Sequence, residues 1–382
     1  MKIARVEAFI VSPAAWIFAR VETDDGVFGW GEAGMNFRSP ATAAAIRDVE
    51  SILVGIDADR IEHVWQILRR SSFFRGGPVL SSALAAIDTA LWDLRGRALG
   101  QPLSSLLGGR VRDRIRAYAW LCADDLCAPS EAEVLDELAE LRAKGHRTFK
   151  VTPPQADPIV SMSYVRRVVK RLEFILSQGP DIEVAMDVHG RWSMATAHRM
   201  IKALEPLGLL FVEEPLLAEH LDKLPLLASA TSVPLATGER LFSRWEFADV
   251  LGAGLAVAQP DVALAGGVSE MMRIASHAEL HDVNVAPHCP FGPIALAASM
   301  HIDARIRNFL IQEQSLTHFK DSFTQYVENM EMFDVVDGYF QCPPGPGIGV
   351  EIDEQRVRRQ AEMGCDFKLT TWWLPDGTYA EF

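Results

Sequence analysis

The alternation of apolar and polar residues changes character near residue 113. Before that point, three strand-like runs are followed by three amphipathic helical patterns. The strands are predicted at 2–10, 16–22 and 27–32, and the helices at 40–54, 59–70 and 79–99. Because the strands come first and the helices follow, the pattern predicts an α+β domain over residues 1–113.

From about Ile115 onward, short apolar runs typical of buried strands alternate with helical patterns. The runs lie at 115–120, 147–152, 183–188, 209–214, 234–238, 255–260, 284–288 and 308–313. Eight β-α units within about 200 residues are typical of a TIM-type (β/α) barrel. We therefore expect a barrel over residues 114–320.

The remaining residues, 321–382, contain helical and loop-like pieces, the Pro- and Gly-rich stretch 342–349 and an aromatic-rich tail. Because the barrel is complete before this segment begins, we expect the segment to pack back on the first domain. The predicted fold is thus α/β, a TIM-type barrel with an α+β N-terminal capping domain that the C-terminal tail completes.

Composition and charge narrow the classes of partner. The chain has 382 residues, 49% of them hydrophobic and 23% charged, which is ordinary for a globular protein with a large core. Its net charge of −14 argues against nucleic acid and anionic membrane surfaces as partners.

Cysteine usage and apolar runs bear on the cellular compartment. The five cysteines are scattered without metal-type spacing, so reduced intracellular thiols are expected. The first residues are typical of strands and a loop around Pro13, not of a signal peptide, and no apolar run reaches membrane-spanning length. We expect a soluble, cytoplasmic protein.

Polar side chains stand at the ends of most of the predicted barrel strands. From the second strand to the eighth they are Lys150, Asp187 and His189, Glu213 and Glu214, Glu239 and Arg240, Asp261, His288, and Glu313. Polar termini are normal for one or two strands, but not for so many in succession. Because TIM barrels build their active sites at the carboxyl ends of the strands, we expect these side chains to share one site.

Three of these carboxylates, Asp187, Glu213 and Glu239, follow successive strands one β-α unit apart. Without a cation they would repel one another strongly. An oxygen-only triad suits a hard divalent ion, and Mg²⁺ is the expected one. The alternative is a set of capping or salt-bridging carboxylates on the barrel rim, which would be favoured for any one of them alone.

Two imidazoles are expected to flank this triad. Residues i and i+2 of a strand project to the same side, so Asp187 and His189 are expected to share one space. The alternative is an Asp that caps the next helix and a His satisfied in a loop. His288 and Asp261 end neighbouring strands, so the carboxylate can orient the imidazole and raise its basicity. Two imidazoles beside a metal suggest one base and one acid.

Several longer motifs carry a resemblance to a known family. They are "FFRGGPVL", "DVHGR", "FVEEPLLAE", "GERLFSR", "QPDVALAGG", "APHCPFGPIALAAS" and "LIQEQS". On these motifs, nearly the whole chain resembles the enolase superfamily in its mandelate racemase-like group, and within it most closely the D-galactonate dehydratases. The resemblance implies the modified, enolase-like form of the barrel, a sugar-acid substrate and a homo-oligomer.

The resemblance also implies a role for each strand-end residue. Asp187, Glu213 and Glu239 would be the Mg²⁺ ligands. His288, with Asp261 as its partner, would abstract the proton α to the substrate carboxylate, which gives an enediolate. Glu313 would hydrogen-bond the carboxylate oxygen of that enediolate, and since it can donate only when protonated, its pKa is expected to be raised. His189 would protonate the departing β-hydroxyl, and the product would be a 2-keto-3-deoxy acid.

Departures from the family pattern favour elimination over inversion. Racemases of the group carry Lys-X-Lys on the second strand, whereas this chain has Lys150-Val151-Thr152, so the second base is missing. Other relatives need a lysine after strand six, where this chain has "DVALAGG". Galactonate dehydratases tend to have Asn where Thr152 stands, and the loop "VSPAAW" offers only small side chains near the mouth. A sugar acid is therefore expected, with D-galactonate or a close relative as the leading candidate.

Substrate contacts are expected from Lys150, Thr152, Glu214 and Arg75. Arg75 lies in the loop "RRSSFFRGG", which could act as a lid, and the alternative is a solvated surface charge. The neighbouring Phe73 and Phe74 fit an interdomain core equally well. A racemase or epimerase on the same scaffold and a non-catalytic homologue retained for binding remain the alternative functions.

Overall fold

The structure is a computed structural model, and it describes all residues except 72, 157–158, 366, 368–372, 375 and 381–382. Its strands are β1 (Ile3–Val11), β2 (Trp16–Thr23), β3 (Phe28–Ala33), β4 (Arg114–Arg116), β5 (Ala119–Trp120), β6 (Thr148–Val151), β7 (Glu183–Asp187), β8 (Val212–Glu213), β9 (Leu235–Thr237), β10 (Val257–Ala258), β11 (Asn284–Val285) and β12 (Tyr339–Gln341).

The α-helices are α1 (Ser39–Asp48), α2 (Glu50–Leu53), α3 (Ile61–Arg70), α4 (Pro78–Leu99), α5 (Leu103–Leu106), α6 (Glu131–Ala143), α7 (Met162–Leu176), α8 (Met194–Leu204), α9 (Leu224–Ala228), α10 (Arg244–Leu251), α11 (Gly267–Leu280), α12 (Pro293–Arg305), α13 (Leu316–Thr324) and α14 (Glu354–Met363). Short 3-10 turns lie at Asn36–Arg38, Glu205–Leu207, Ala218–Lys223 and Met330–Phe333.

The N-terminal unit is an antiparallel sheet, β1-β2-β3, backed by helices. The longest helix, α4, packs directly on β3, and two glycines of the strand make this possible. A Cβ on Gly31 would lie 1.8 Å from the carbonyl oxygen of Ala86, and one on Gly29 would lie 2.1 Å from that of Ala90. The close backbone contact confirms the α+β pattern read from the sequence.

The second unit is a parallel sheet of seven strands among the described residues, in the order β11-β10-β9-β8-β7-β6-β5. Parallel bridges Val285–Phe309 and Ala117–Gln312 join residues 309–312 to both ends of the sheet and close the ring. The architecture is therefore the modified TIM-type barrel with a capping domain, as expected.

Several observed barrel strands are shorter than predicted, and two of the predicted runs do not form a single continuous strand. The run 115–120 is divided, because Arg114–Arg116 pairs antiparallel with β12 and only Ala119–Trp120 joins the barrel. The run 308–313 forms isolated bridges instead of a continuous ladder. The buried side chain of Gln312 accepts a hydrogen bond from the Ser299 hydroxyl and donates to nearby backbone carbonyls. Side-chain hydrogen bonds therefore help to hold this segment in the barrel.

The interior of the barrel is filled by one apolar side chain from most of its strands. These are Tyr118, Ala185, Phe211, Ala236, Val257, Ala286 and Ile311, all buried. This packed layer fills the barrel interior, so a ligand can bind only at the carboxyl ends of the strands.

The C-terminal segment contacts the capping domain, as the sequence predicted. The guanidinium of Arg358 makes paired 2.9 Å hydrogen bonds to the carboxylate of Glu7. The ring of Tyr326 packs edge-on against Phe18, with centroids 5.9 Å apart. A Cβ on Gly96 of α4 would lie 2.4 Å from the Cα of Gly347. The domain limits at residues 113 and 320 stay predictions.

Within the part of the chain that is described, none of the helices combines the length and the apolar character that a bilayer crossing requires.

Candidate active site

A cavity of about 430 Å³ opens at the carboxyl ends of the barrel strands. Its volume is in the range typical of small-molecule sites. Its lower wall contains residues predicted from the strand ends, namely Lys150, Thr152, Asp187, His189, Glu239, Arg240, His288 and Glu313. The sequence therefore located the mouth of the barrel and much of its polar lining.

The carboxylate triad forms as expected. Asp187 ends β7, Glu213 ends β8, and Glu239 follows β9, and one oxygen of each lies within 4.8 Å of the others. Glu213 is fully buried, and its Oε1 has no hydrogen-bond partner among the described residues. Burial and the charge of Asp187 raise the pKa of Glu213 well above its usual range. A cation at this point would satisfy the free oxygen and relieve the repulsion, so the residues fit a metal ion.

Lys150 supplies a positive charge beside the triad. Its Nζ lies 2.9 Å from Asp187 Oδ2, 3.4 Å from Glu213 Oε2 and 2.5 Å from Glu313 Oε1. Burial opposes its charge, but these three carboxylates outweigh burial and raise the pKa of Lys150 well above its usual value. The lysine therefore stays charged and holds the ends of three strands together.

The direction in which the pKa of Glu313 is shifted differs from the prediction. Burial raises its pKa, but the charges of Lys150 and His288 outweigh burial and leave the pKa below its usual value. Its oxygens also accept hydrogen bonds from Trp120 Nε1, at 2.9 Å, and from the backbone N–H of Cys289, at 2.8 Å. The predicted raised pKa of Glu313 is therefore wrong, because donors surround the carboxylate and favour its ionised form.

His288 and Asp261 form the expected pair. His288 Nδ1 lies 2.7 Å from Asp261 Oδ2, and its Nε2 lies 3.3 Å from Glu239 Oε2. The backbone N–H of Ala263 donates to Asp261 Oδ1, so the carboxylate itself is oriented. Burial lowers the pKa of His288, but the charges of Glu239, Glu313 and Asp261 raise it to about 10. Nε2 is the ring nitrogen left to face the cavity.

His189 shares the space of Asp187, but for a different backbone reason than predicted. The strand ends at Asp187, and His189 adopts a left-handed conformation with φ 55°. Its ring Nε2 lies 3.0 Å from Asp187 Oδ2. The side chain therefore reaches the triad through a turn and not through strand alternation.

Glu214 does not line the cavity, although the sequence placed it among the substrate contacts. It is buried behind the wall, where it accepts hydrogen bonds from the Thr237 hydroxyl and from Arg240 Nε, the latter at 2.8 Å. Arg240 lines the cavity in its place. Gly190 permits this, since a Cβ there would lie 2.0 Å from the Arg240 guanidinium.

Arg75 also lies away from the cavity. It is exposed and lines a separate hollow of about 360 Å³ in the capping domain, beside Asp48 and Arg69. Phe73 and Phe74 are 92% and 79% exposed, so the interdomain-core interpretation is wrong. Left-handed glycines at 76 and 77 begin α4 and turn this loop outward.

Sequence reasoning missed the upper wall of the cavity. The residues that were not identified include Ala14, Trp16, Met35, Asn36, Phe37, Trp120, Asp124 and Phe319. Most of them come from the capping domain, and Phe319 comes from α13, after the last barrel strand. For the residues of the capping domain, the sequence contained one signal, the loop "VSPAAW". The other contacts could not be predicted, because they depend on how the capping domain packs on the barrel mouth.

Comparisons with known proteins agree with this geometry. Residues 5–108 match the family described as mandelate racemase / muconate lactonizing enzyme, N-terminal domain, and residues 133–356 match the enolase C-terminal domain-like family. A D-galactonate dehydratase of Xanthomonas axonopodis pv. citri (strain 306) is 42% identical over 388 residues, with 100% of both chains covered. One of Cronobacter sakazakii (strain ATCC BAA-894) is 43% identical with the same coverage.

Solved structures give the same result. An enolase of Agrobacterium radiobacter, provisionally assigned as a galactarate dehydratase and solved with sodium and L-malate, matches with a TM-score of 0.89 at 32% identity, with 100% of both chains covered. A provisionally assigned dehydratase of Mesorhizobium loti matches with a TM-score of 0.87 at 28% identity, covering 94% of this chain and 98% of the other. The chain therefore belongs to the mandelate racemase and muconate lactonizing enzyme family of the enolase superfamily, and it is an enzyme of the hydro-lyase class.

Proposed function

We propose that the protein is a Mg²⁺-dependent dehydratase that converts a sugar acid of the aldonic type into a 2-keto-3-deoxy acid. The observation that carries the proposal is the carboxylate triad with the His288–Asp261 pair on one side and His189 on the other. The D-galactonate dehydratases at 42–43% identity support the aldonic substrate.

The metal would be held by Asp187, Glu213 and Glu239. These three offer only carboxylate oxygens, which suit a hard ion such as Mg²⁺ that keeps positions open for substrate oxygens. When bound, Mg²⁺ would act as a Lewis acid that stabilises negative charge on the substrate carboxylate. Lys150, 2.5 Å from Glu313, would donate to that carboxylate from the neighbouring strand.

His288 would act as the base. Its Nε2 takes the α-proton while the Nδ1–H stays bonded to Asp261, which fixes the ring and stabilises the imidazolium that forms. A divalent cation at the triad would offset the negative charge around His288 and lower its pKa toward the range that a base needs. The α C–H bond breaks, and its electrons enter the enediolate of the substrate.

His189 would act as the acid. Its ring lies beside the metal ligand Asp187, so it can protonate the β-hydroxyl as the C–O bond breaks. Water leaves, and the enol that remains tautomerises to the 2-keto-3-deoxy acid. Thr152 lines the cavity where racemases of the group have a second lysine, so a bound acid meets a base on one face only.

A panel of aldonic acids tests this function. Each acid is incubated with the enzyme and Mg²⁺, and the 2-keto acid is measured with semicarbazide. We expect product from at least one acid, with none after EDTA treatment and recovery when Mg²⁺ is restored. Inversion at the α-carbon without loss of water would instead support the racemase alternative. The homo-oligomeric state and the cytoplasmic location stay predictions, the first testable by light scattering.

A further inference from the structure

The cavity continues beyond the reacting groups into a space with apolar walls. Lys150, Asp187, Glu239 and Glu313 form its floor, so the rest of a bound acid must extend away from the strands. There it meets side chains from the capping domain, from α13 and from the C-terminal segment. We call this set the roof: Ala14, Trp16, Met35, Phe37, Phe319 and Phe367.

The roof is fixed in place by contacts with the barrel. The backbone N–H of Gly34 donates to the carbonyl of Ala263 at 2.9 Å, and a Cβ on Gly34 would lie 2.3 Å from Leu264. The buried carboxylate of Glu32 accepts from the N–H of Gly292 at 2.7 Å. These bonds join the capping domain to the ends of strands six and seven.

Aromatic contacts hold the rest of the roof. Trp16 packs edge-on against Phe319 with centroids 6.4 Å apart, and Phe37 stacks on Phe367 at 5.8 Å. The apolar surface is thus held in position and is part of the site as it stands.

Few described polar groups of the cavity remain for the far end of a substrate. Asn36 Nδ2 donates to the carbonyl of Ala14 at 3.3 Å, which engages one N–H of its amide. Arg240 is paired with Glu214, and Lys150 with the carboxylates of the floor. Away from the floor, the cavity lining also contains the carboxylate of Asp124, which is exposed at the rim.

From this distribution we infer that the substrate is a monocarboxylic deoxy sugar acid, whose carbon farthest from the carboxylate is a methyl group. This inference rests on the proposed dehydratase function. A terminal hydroxyl packed against the apolar side chains of the roof would lose its hydrogen bonds to water. A second carboxylate would meet Asp124, and both cations among the described lining residues, Lys150 and Arg240, are already paired with carboxylates. A terminal methyl group fits the apolar walls.

Matched substrate pairs test the inference. Hexonic acids, their 6-deoxy counterparts of the same configuration and the corresponding aldaric acids are assayed with the Mg²⁺-loaded enzyme. For the configuration that is turned over best, we expect kcat/KM for the 6-deoxy acid to exceed that for the hexonic acid by about tenfold to a hundredfold. The aldaric acid should be dehydrated more slowly than either.

The outcomes separate the two proposals. Equal or faster turnover of the hexonic or aldaric acid would overturn the deoxy-acid inference and leave the dehydratase function intact. Turnover of no acid would overturn both. Dissociation constants for the same acids with the inactive variant His288→Asn give a reading that does not depend on turnover, and they should rank the 6-deoxy acid first.

A variant tests whether the roof determines the preference for a terminal methyl group in the substrate. Met35→Gln places an amide of similar shape there, and it should reduce the preference for the 6-deoxy acid severalfold. The matched control is Met363→Gln, the same change at a residue that is 76% exposed on α14. A preference unchanged by Met35→Gln would contradict the roof assignment.

Discussion

The Nδ1 atom of His288 lies 2.7 Å from Oδ2 of Asp261, and this carboxylate is fully buried at the end of the sixth barrel strand. The N–H of Ala263 holds the other oxygen. A buried carboxylate fixed on both sides can orient the imidazole and favour its charged form.

Asp261→Asn should therefore lower kcat by about 10²–10⁴-fold, the usual contribution of a positioned general base. The amide cannot stabilise the imidazolium, so the pKa of the base in the pH profile of kcat/KM should also fall. The control is Asp222→Asn, at an exposed position, which should leave both quantities unchanged. A lower kcat with an unaltered pH profile would assign Asp261 a purely structural role.

The two imidazoles should separate in a partial reaction. His189→Asn keeps the base and the metal ligands, so in D₂O it should exchange the α-proton of the substrate for deuterium without losing water. His288→Asn lacks the base and should neither exchange nor dehydrate. Proton NMR of the recovered acid measures the exchange. If the behaviour of the variants is the opposite, the acid and base assignments must be reversed.

Glu213→Gln should weaken Mg²⁺ binding in isothermal titration calorimetry by at least about tenfold, because it removes a charged ligand from the triad. Since burial disfavours the ionised Glu213, the metal-free variant should keep its fold and its thermal midpoint should not fall. Glu219→Gln, at an exposed site, is the matched control. Unchanged Mg²⁺ affinity would remove Glu213 from the ligand set.

Arg75→Ala should leave both kcat and KM within about twofold of the parent, since surface substitutions away from a site have small effects. Arg75 is exposed and lines the hollow in the capping domain, not the cavity at the barrel mouth. A raised KM for the sugar acid would restore the lid hypothesis.

His146 should make stability depend on pH. Burial, with the charges of Lys144 and Arg147 nearby, lowers its pKa from 6.5 to about 4. The unfolded chain therefore binds a proton near pH 6.5 that the folded protein takes up only near pH 4. As the pH falls through this window, the free energy of unfolding should decrease by up to about 3 kcal/mol.

His146→Gln removes this titration, so in urea unfolding its stability should fall less between pH 6.5 and pH 4. The matched control is His198→Gln, at an exposed position. Parallel pH profiles for His146→Gln and the parent would show that His146 is already solvated.

The carboxylate triad and the His288–Asp261 pair were predictable from the sequence for a definite reason. Parallel strands of a barrel all end at one face, so the residue that ends each strand is brought to the mouth whatever the exact strand length. Even with β8 and β10 reduced to two residues each, Glu213 and Asp261 reached the site.

Two features of the site, the protonation of Glu313 and the role of Glu214, depended on neighbours distant in the chain. The pKa of Glu313 is lowered because Lys150 lies 2.5 Å away and His288 is also close, and Glu214 accepts a hydrogen bond from Arg240. Sequence order does not report such distances.

The local pattern of this chain therefore determined its barrel, its capping domain and the polar ends of its strands, because periodicity and strand direction are local properties. Only the tertiary structure decided the roof. Trp16 comes from the first domain and Phe319 from α13, which follows the last barrel strand, and their ring centroids lie 6.4 Å apart because the two parts of the chain pack together. The chemistry of the floor is set strand by strand, whereas the shape above it results from long-range packing.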